Sequence, residues 1–232
     1  MWPIETLGGK LMFKPDGPFF NVLARIMDLI ILNVLWMVCC LGIITIGPAT
    51  TALYSVLFKI REKKDYSVTA QFFLEFKNNF RHALPGAIAL VLAAFLLYID
   101  FRVVFYDKTF TLSFMSSLFW VVLVMAFAYF SWLFPLIAKF ENTAKGHFRN
   151  ARLMILRHLP MTVIITVLNL LPWLLAYFQP VLTLQNMLLF WLFIGFALIA
   201  YVNALLLYRC FYQYFDQSYI DQLNKAKDEI SS

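Results

Sequence analysis

Asn33-Val-Leu-Trp-Met-Val-Cys-Cys-Leu-Gly-Ile-Ile-Thr-Ile-Gly-Pro-Ala-Thr-Thr-Ala-Leu-Tyr54 lies inside a stretch, Leu29 to Phe58, that carries no charged side chain. Thirty such residues cannot take water as their solvent. As one helix they would reach about 45 Å at ~1.5 Å per residue, well beyond a hydrocarbon core of roughly 30 Å. A break is therefore expected, and Gly47-Pro48 supplies it. Pro48 has no backbone N–H and biases the residue before it away from helical geometry. The pattern predicts one helix ending near Ile46, a second beginning at Pro48, and the two forming a membrane hairpin.

Composition carries the same message outward. The 232 residues are 62% hydrophobic and 14% charged, against about 25% charged in soluble domains. The longest polar connections, Lys59 to Ala83 and Lys139 to His158, are too short to bury a core of their own. That argues against a separate soluble catalytic or nucleotide-binding domain. The net charge of +6 sits beside apolar segments, where Lys and Arg orient a membrane protein, and does not read as a nucleic-acid surface. Cys39, Cys40 and Cys210 fall in or at the ends of apolar segments and form neither a Cys-x-x-Cys pair nor a disulfide framework. Glu5, Asp16 and the turn Pro15-Asp16-Gly17-Pro18 interrupt the first thirty residues, so no cleavable signal peptide is expected there. Gly8-Gly9-Lys10 lacks the spacing and the Ser/Thr of a phosphate loop.

Read in order, the chain is one all-α membrane domain over residues 1–232, a polytopic protein of about five to six spans with a cytoplasmic amphipathic helix. Residues 1–28 form an interfacial segment in which Arg25 and Asp28 can pair. Residues 29–58 are the broken hairpin. Lys59, Arg61, Lys63 and Lys64 open a basic connection, 59–83, in which Val68, Phe72, Phe76 and Phe80 recur every four residues. That spacing predicts an amphipathic helix of about 13 residues, too short to span, lying among headgroups or beneath the bundle. Residues 83–138 make a second hairpin, with Pro135 tolerated inside its later helix. A further basic connection covers 139–158. The fifty charge-free residues 159–208 hold two more spans with a turn near Gln179 to Gln185, and 209–232 is a polar tail.

Alternating the sides puts six, five and three Lys or Arg on connections 59–83, 139–158 and 209–232, against two on 99–108 and none on 179–185. The bias predicts that these three connections and the C-terminus, and also the N-terminus, face the cytoplasm. Helix 48–60 is short enough to be read either as a span or as a re-entrant half-span. An internal echo, Phe80-Arg81-His82-Ala83-Leu84-Pro85 answered by Arg157-His158-Leu159-Pro160, suggests two similarly oriented hairpins, each preceded by an amphipathic stretch.

Chemistry-bearing patterns are sparse. His82 and His158 each follow an Arg at a membrane border, His147 lacks a second ligand at useful spacing, and no two carboxylates share a helical face, so no catalytic residue, metal site or cofactor is assigned. The spans offer Asn33, Asn169, Asn203, Thr45, Thr50, Thr51 and Ser131, whose hydrogen bonds between helices account for them. A sugar path lined by the asparagines and aromatics is the functional alternative.

Asn33-x-x-Trp36, then Thr45-Ile-Gly47-Pro48-Ala-Thr50-Thr51-Ala-Leu53, the basic Lys59 to Lys64 patch, and Phe72-Phe73-x-x-Phe76-Lys77-x-Asn79-Phe80 resemble the YesL family of bacterial membrane proteins, a domain of unknown function. Phe134-Pro135-Leu136-Ile137-Ala138-Lys139-Phe140 is similar to its later signature. The resemblance implies occurrence in Gram-positive bacteria near carbohydrate ABC importers, their binding proteins and glycoside hydrolases, and it brings no catalytic residues. The expectation is a non-enzymatic accessory protein in the lipid bilayer that contacts carbohydrate ABC permease subunits through Phe72, Phe73, Phe76, Phe80, Lys59 and Arg61. A small passive or secondary transporter for a sugar-like solute is the alternative.

Overall fold

The computed structural model describes residues 18–61, 67–106, 112–178 and 188–212, all of them helix or short connection. Helices α1 (Pro18–Cys40) and α2 (Ile46–Arg61) flank a single 3-10 turn, Ile43–Thr45. They are followed by α3 (Val68–Tyr106), α4 (Leu112–Lys139), α5 (Ala144–Arg157), α6 (Leu159–Phe178) and α7, which covers 188–212 with a π turn at Trp191–Gly195. Among the described residues five helices are long and apolar enough to cross a bilayer, and the bent pair α5–α6 raises the number to six if it counts as one span. The fold is therefore an all-helical, multi-span membrane bundle.

The opening stretch does double back. The Trp36 indole N–H donates to the Thr50 hydroxyl at 3.1 Å across fourteen residues, which in an unbroken helix would stand ~21 Å apart. The break falls earlier than Gly47-Pro48. α1 stops at Cys40, and the Thr45 hydroxyl donates to the Cys39 carbonyl, which the helix end leaves open, and to the Gly42 carbonyl, which also accepts the Thr45 N–H. Pro48 then sits in the first turn of α2, where a missing N–H costs no internal hydrogen bond. Gly47 has a different duty from the expected turn. A Cβ there would lie 2.7 Å from the Ala87 Cβ and 3.1 Å from the Ala83 carbonyl oxygen, so glycine is what lets α2 press against α3.

α2 is consequently the axis of the bundle. Residues 51–58 are all buried, and α2 packs against α1, α3 and α4. At one end, Phe58 of α2, Phe140 just past α4 and Phe211 of α7 close a ring cluster, with Phe211 centroids 6.0 and 5.2 Å from the other two. The Lys139 ammonium lies over the rings of Phe58 and Tyr208, 5.7 and 5.4 Å from their centroids. The C-terminal ends of α2, α4 and α7 thus meet at one basic end of the molecule.

Two further departures from the sequence reading have local causes. The amphipathic stretch 68–80 is not a separate short helix but the first turns of the 39-residue α3, which continues through Pro85. Its Val68, Phe72, Phe76, Phe80 stripe turns towards the bundle, so continuity costs nothing in exposed backbone. The connection 139–158, by contrast, contains α5, started by Thr143, whose hydroxyl accepts from the Gly146 N–H at 3.2 Å. His158 leaves helical geometry at φ −119° and ψ 48°, and α5 and α6 meet at 105°. The turn near Gln179 to Gln185 and both chain ends lie outside the described residues.

Candidate functional site

Polar side chains of the spans come together as a seam through the bundle. Asn33 is fully buried, and it serves the π turn of α7. Its amide donates to the Trp191 and Leu192 carbonyls at 3.1 and 2.7 Å, while its oxygen accepts from the Ala197 N–H at 2.8 Å. A π turn shifts the i→i−4 ladder by one residue and leaves backbone groups without helical partners. One carboxamide, with donors and an acceptor on the same plane, satisfies both kinds. Gly195 is needed beside it, because a Cβ there would strike the Trp191 ring at 2.3 Å.

A second segment of the seam joins α4, α6 and α7. Asn203 donates to the Asn169 oxygen at 2.8 Å, Asn169 donates to the Ser131 hydroxyl at 2.7 Å, and Ser131 donates to the Phe127 carbonyl at 2.6 Å. Lower on α4, the fully buried Trp132 donates to Thr162 at 3.0 Å and stacks on His158, which fixes the corner between α5 and α6. Thr50 passes its own hydrogen to the Ile46 carbonyl at 2.7 Å while accepting from Trp36. The oxygens of Thr51, Thr166 and Asn203 and the Trp191 indole N–H are buried with no hydrogen-bond partner among the described residues.

Beside this seam lies a cavity of about 570 Å³, open on one side, lined by α1, α2, α3, α4, α6 and α7. Its size falls in the ~300–1,000 Å³ range of small-molecule sites. The space exists because alanines face it, Ala93 and Ala94 from α3, Ala126 from α4 and Ala200 from α7. The rest of the wall is mainly Leu, Ile and Phe, with Trp36, Thr50, Tyr54, Ser131 and Asn169 as its polar members.

The residues singled out in the sequence divide accordingly. Asn33, Trp36 and Thr50 belong to the seam, and the last two also line the cavity. Thr45 closes α1, Pro48 and Thr51 are buried in α2, and Gly47 is a packing contact. Of the aromatic stripe, Phe72 is fully buried and is removed from any contact surface, because it points into the chain's own core. Phe76 and Phe80 are half-buried, and Phe73, with its neighbour Leu74, is exposed. Lys59 is held by Glu75 at 2.6 Å, whose carboxylate also accepts from Gln71 and Asn79. The Arg61 side chain lies outside the described residues.

The internal echo implied an amphipathic stretch before the last hairpin without helix bounds, and α5 occupies that place. Its inner side buries His147 and Ala151, and its outer side exposes Leu153 and Leu156 along with Arg149 and Arg152. Burial holds the His147 imidazole below its usual range, the charge of nearby His82 acts the same way, and a hydrogen bond with the Asn142 backbone opposes both. The missed signal was the Thr143 cap followed by a helical alternation of basic and apolar residues.

Among the described residues, no three His, Cys, Asp or Glu side chains come together as a metal-binding group. No curated protein and no solved structure matches the chain. Residues 29–101, from within α1 through α2 and most of α3, match the family described as "Protein of unknown function, DUF624".

Proposed function

We propose that the chain is a YesL-type, non-enzymatic accessory protein of the bacterial plasma membrane that associates with the membrane subunits of a carbohydrate ABC importer. The observation that carries the reading is the outer surface of the basic end. Phe73 and Leu74 on α3, and Leu153 and Leu156 on α5, stand exposed beside Lys77, Arg149 and Arg152. α3 and α5 touch, so these patches share one end, and an apolar surface edged by charge suits a protein partner. The carbohydrate assignment rests on the YesL resemblance of the hairpin and the Phe-rich helix. The excess of Lys and Arg on the connections 59–83, 139–158 and 209–232 supports a cytoplasmic side for both chain ends.

Affinity recovery of a tagged copy from gently solubilised membranes tests the proposal. Permease subunits should co-purify with the wild type and be lost from a Phe73→Asp, Leu156→Asp double variant. Recovery of the wild type without them would refute it.

The cavity favours a second reading, a route for a sugar-like solute past Trp36, Thr50 and Asn169. It ranks below the first because the wall is mainly hydrocarbon. Each sugar hydroxyl buried without a partner would cost ~2–7 kcal/mol. Flux into liposomes that contain this chain alone would establish it, and flux equal to empty liposomes would remove it.

A further inference from the structure

From the cavity we infer a bound ligand of a specific kind: a single acyl chain of a membrane lipid, held between α3, α4 and α7 beside the Asn169–Ser131 seam. Three observations support this. Most of the polar atoms on the wall are already spent within the protein, Asn169 on Ser131 and Asn203, and Thr50 on Trp36 and Ile46, and the lining is otherwise hydrocarbon apart from Tyr54. An apolar cavity of this kind does not hold water, and left empty it forfeits the dispersion contacts of its lining. The cavity is open rather than sealed and is formed by membrane-spanning helices, so the apolar molecules that reach its mouth are lipid chains. A cavity of about 570 Å³ lies within the ~300–1,000 Å³ range of small-molecule sites and has room for an acyl chain. The four alanines offer the space only methyl groups, which suit a hydrocarbon chain better than a sugar's hydroxyls. This site is separate from the outer surface of α3 and α5 on which the accessory role rests, and either can fail without the other.

Native mass spectrometry of the full chain tests the assignment, with palmitoyl-oleoyl phosphatidylglycerol and free palmitic acid as the two probes. The wild type should retain one copy of a probe after collisional activation has stripped the outer lipids. Ala126→Phe and Ala93→Phe, which fill the slot from two different helices, should each cut retention by roughly tenfold or more, equivalent to ~1.4 kcal/mol or more. Val121→Phe, on the exposed side of α4, should leave retention unchanged. Retention of the phospholipid alone identifies a tethered chain, and retention of palmitate identifies a free fatty acid. If one slot-filling variant does not yield monodisperse protein, the other decides. Failure of the wild type to retain either probe, or equal retention in a folded slot-filled variant, would overturn the inference.

Discussion

The two arms of the opening hairpin come from the same thirty uncharged residues, yet they take opposite places in the molecule. In the span Val22–Cys40, 17% of the most apolar window is buried; in Ile43–Ile60 the figure is 67%. Mean hydropathy runs against burial here, since the exposed arm is the more apolar of the two. Side-chain size explains the difference. α1 presents Val22, Leu23, Met27, Val34 and Val38 outward, whereas α2 opens Ile-Gly-Pro-Ala-Thr-Thr-Ala and can be approached by α1, α3 and α4 together. In a bilayer the lipid is as apolar as leucine, so hydrophobicity decides which segments span, and small residues decide which are enclosed.

The comparison can be broken at defined points. The largest effect is expected from Gly47→Val, which places a branched side chain where a single Cβ already meets Ala87 at 2.7 Å and a backbone oxygen at 3.1 Å. Overpacking of this kind costs ~1–3 kcal/mol or more, and size-exclusion profiles should show loss of the monodisperse peak. Next comes Asn33→Leu. It removes the donor to the Trp191 and Leu192 carbonyls and the acceptor of the Ala197 N–H, at ~1–3 kcal/mol for a buried group left unsatisfied, and should lower the thermal midpoint by several degrees. Thr50→Val removes the acceptor of the Trp36 indole and tests the link between the arms, with ~0.6–1 kcal/mol expected for one hydrogen bond between membrane helices. Val38→Ala on the outer face of α1, 60% exposed, should stay within ~0.5 kcal/mol. If Val38→Ala cost as much as Gly47→Val, the contrast between the arms would fail.

Much of the hairpin was legible because its signals are local: a charge-free run too long for one span, a proline that begins a helix, and basic residues where the run ends. The break itself was placed too late, because Thr45 closes α1 by reaching back to Cys39, and a threonine inside an apolar run gives no sign of doing so. Arg-His followed by Pro occurs twice with opposite outcomes. α3 runs straight through His82 and Pro85, while the chain turns at His158, where Trp132 of α4 stacks on the imidazole and bonds Thr162. Tertiary contact, not the local words, decides between them. The site was less legible still. Asn33 could be noticed as polar, but its partners stand 158 and 159 positions away. The cavity depends on alanines from three helices, each ordinary in its own segment.

The central claim is that α2 is enclosed by its neighbours while α1 faces lipid. Carbene photolabelling from the bilayer interior, with labelled peptides read by mass spectrometry, measures it without altering the chain. The account predicts strong labelling at Val22, Met27, Val34 and Val38 and protection throughout residues 51–58. Labelling of 51–58 at the level of α1 would contradict it.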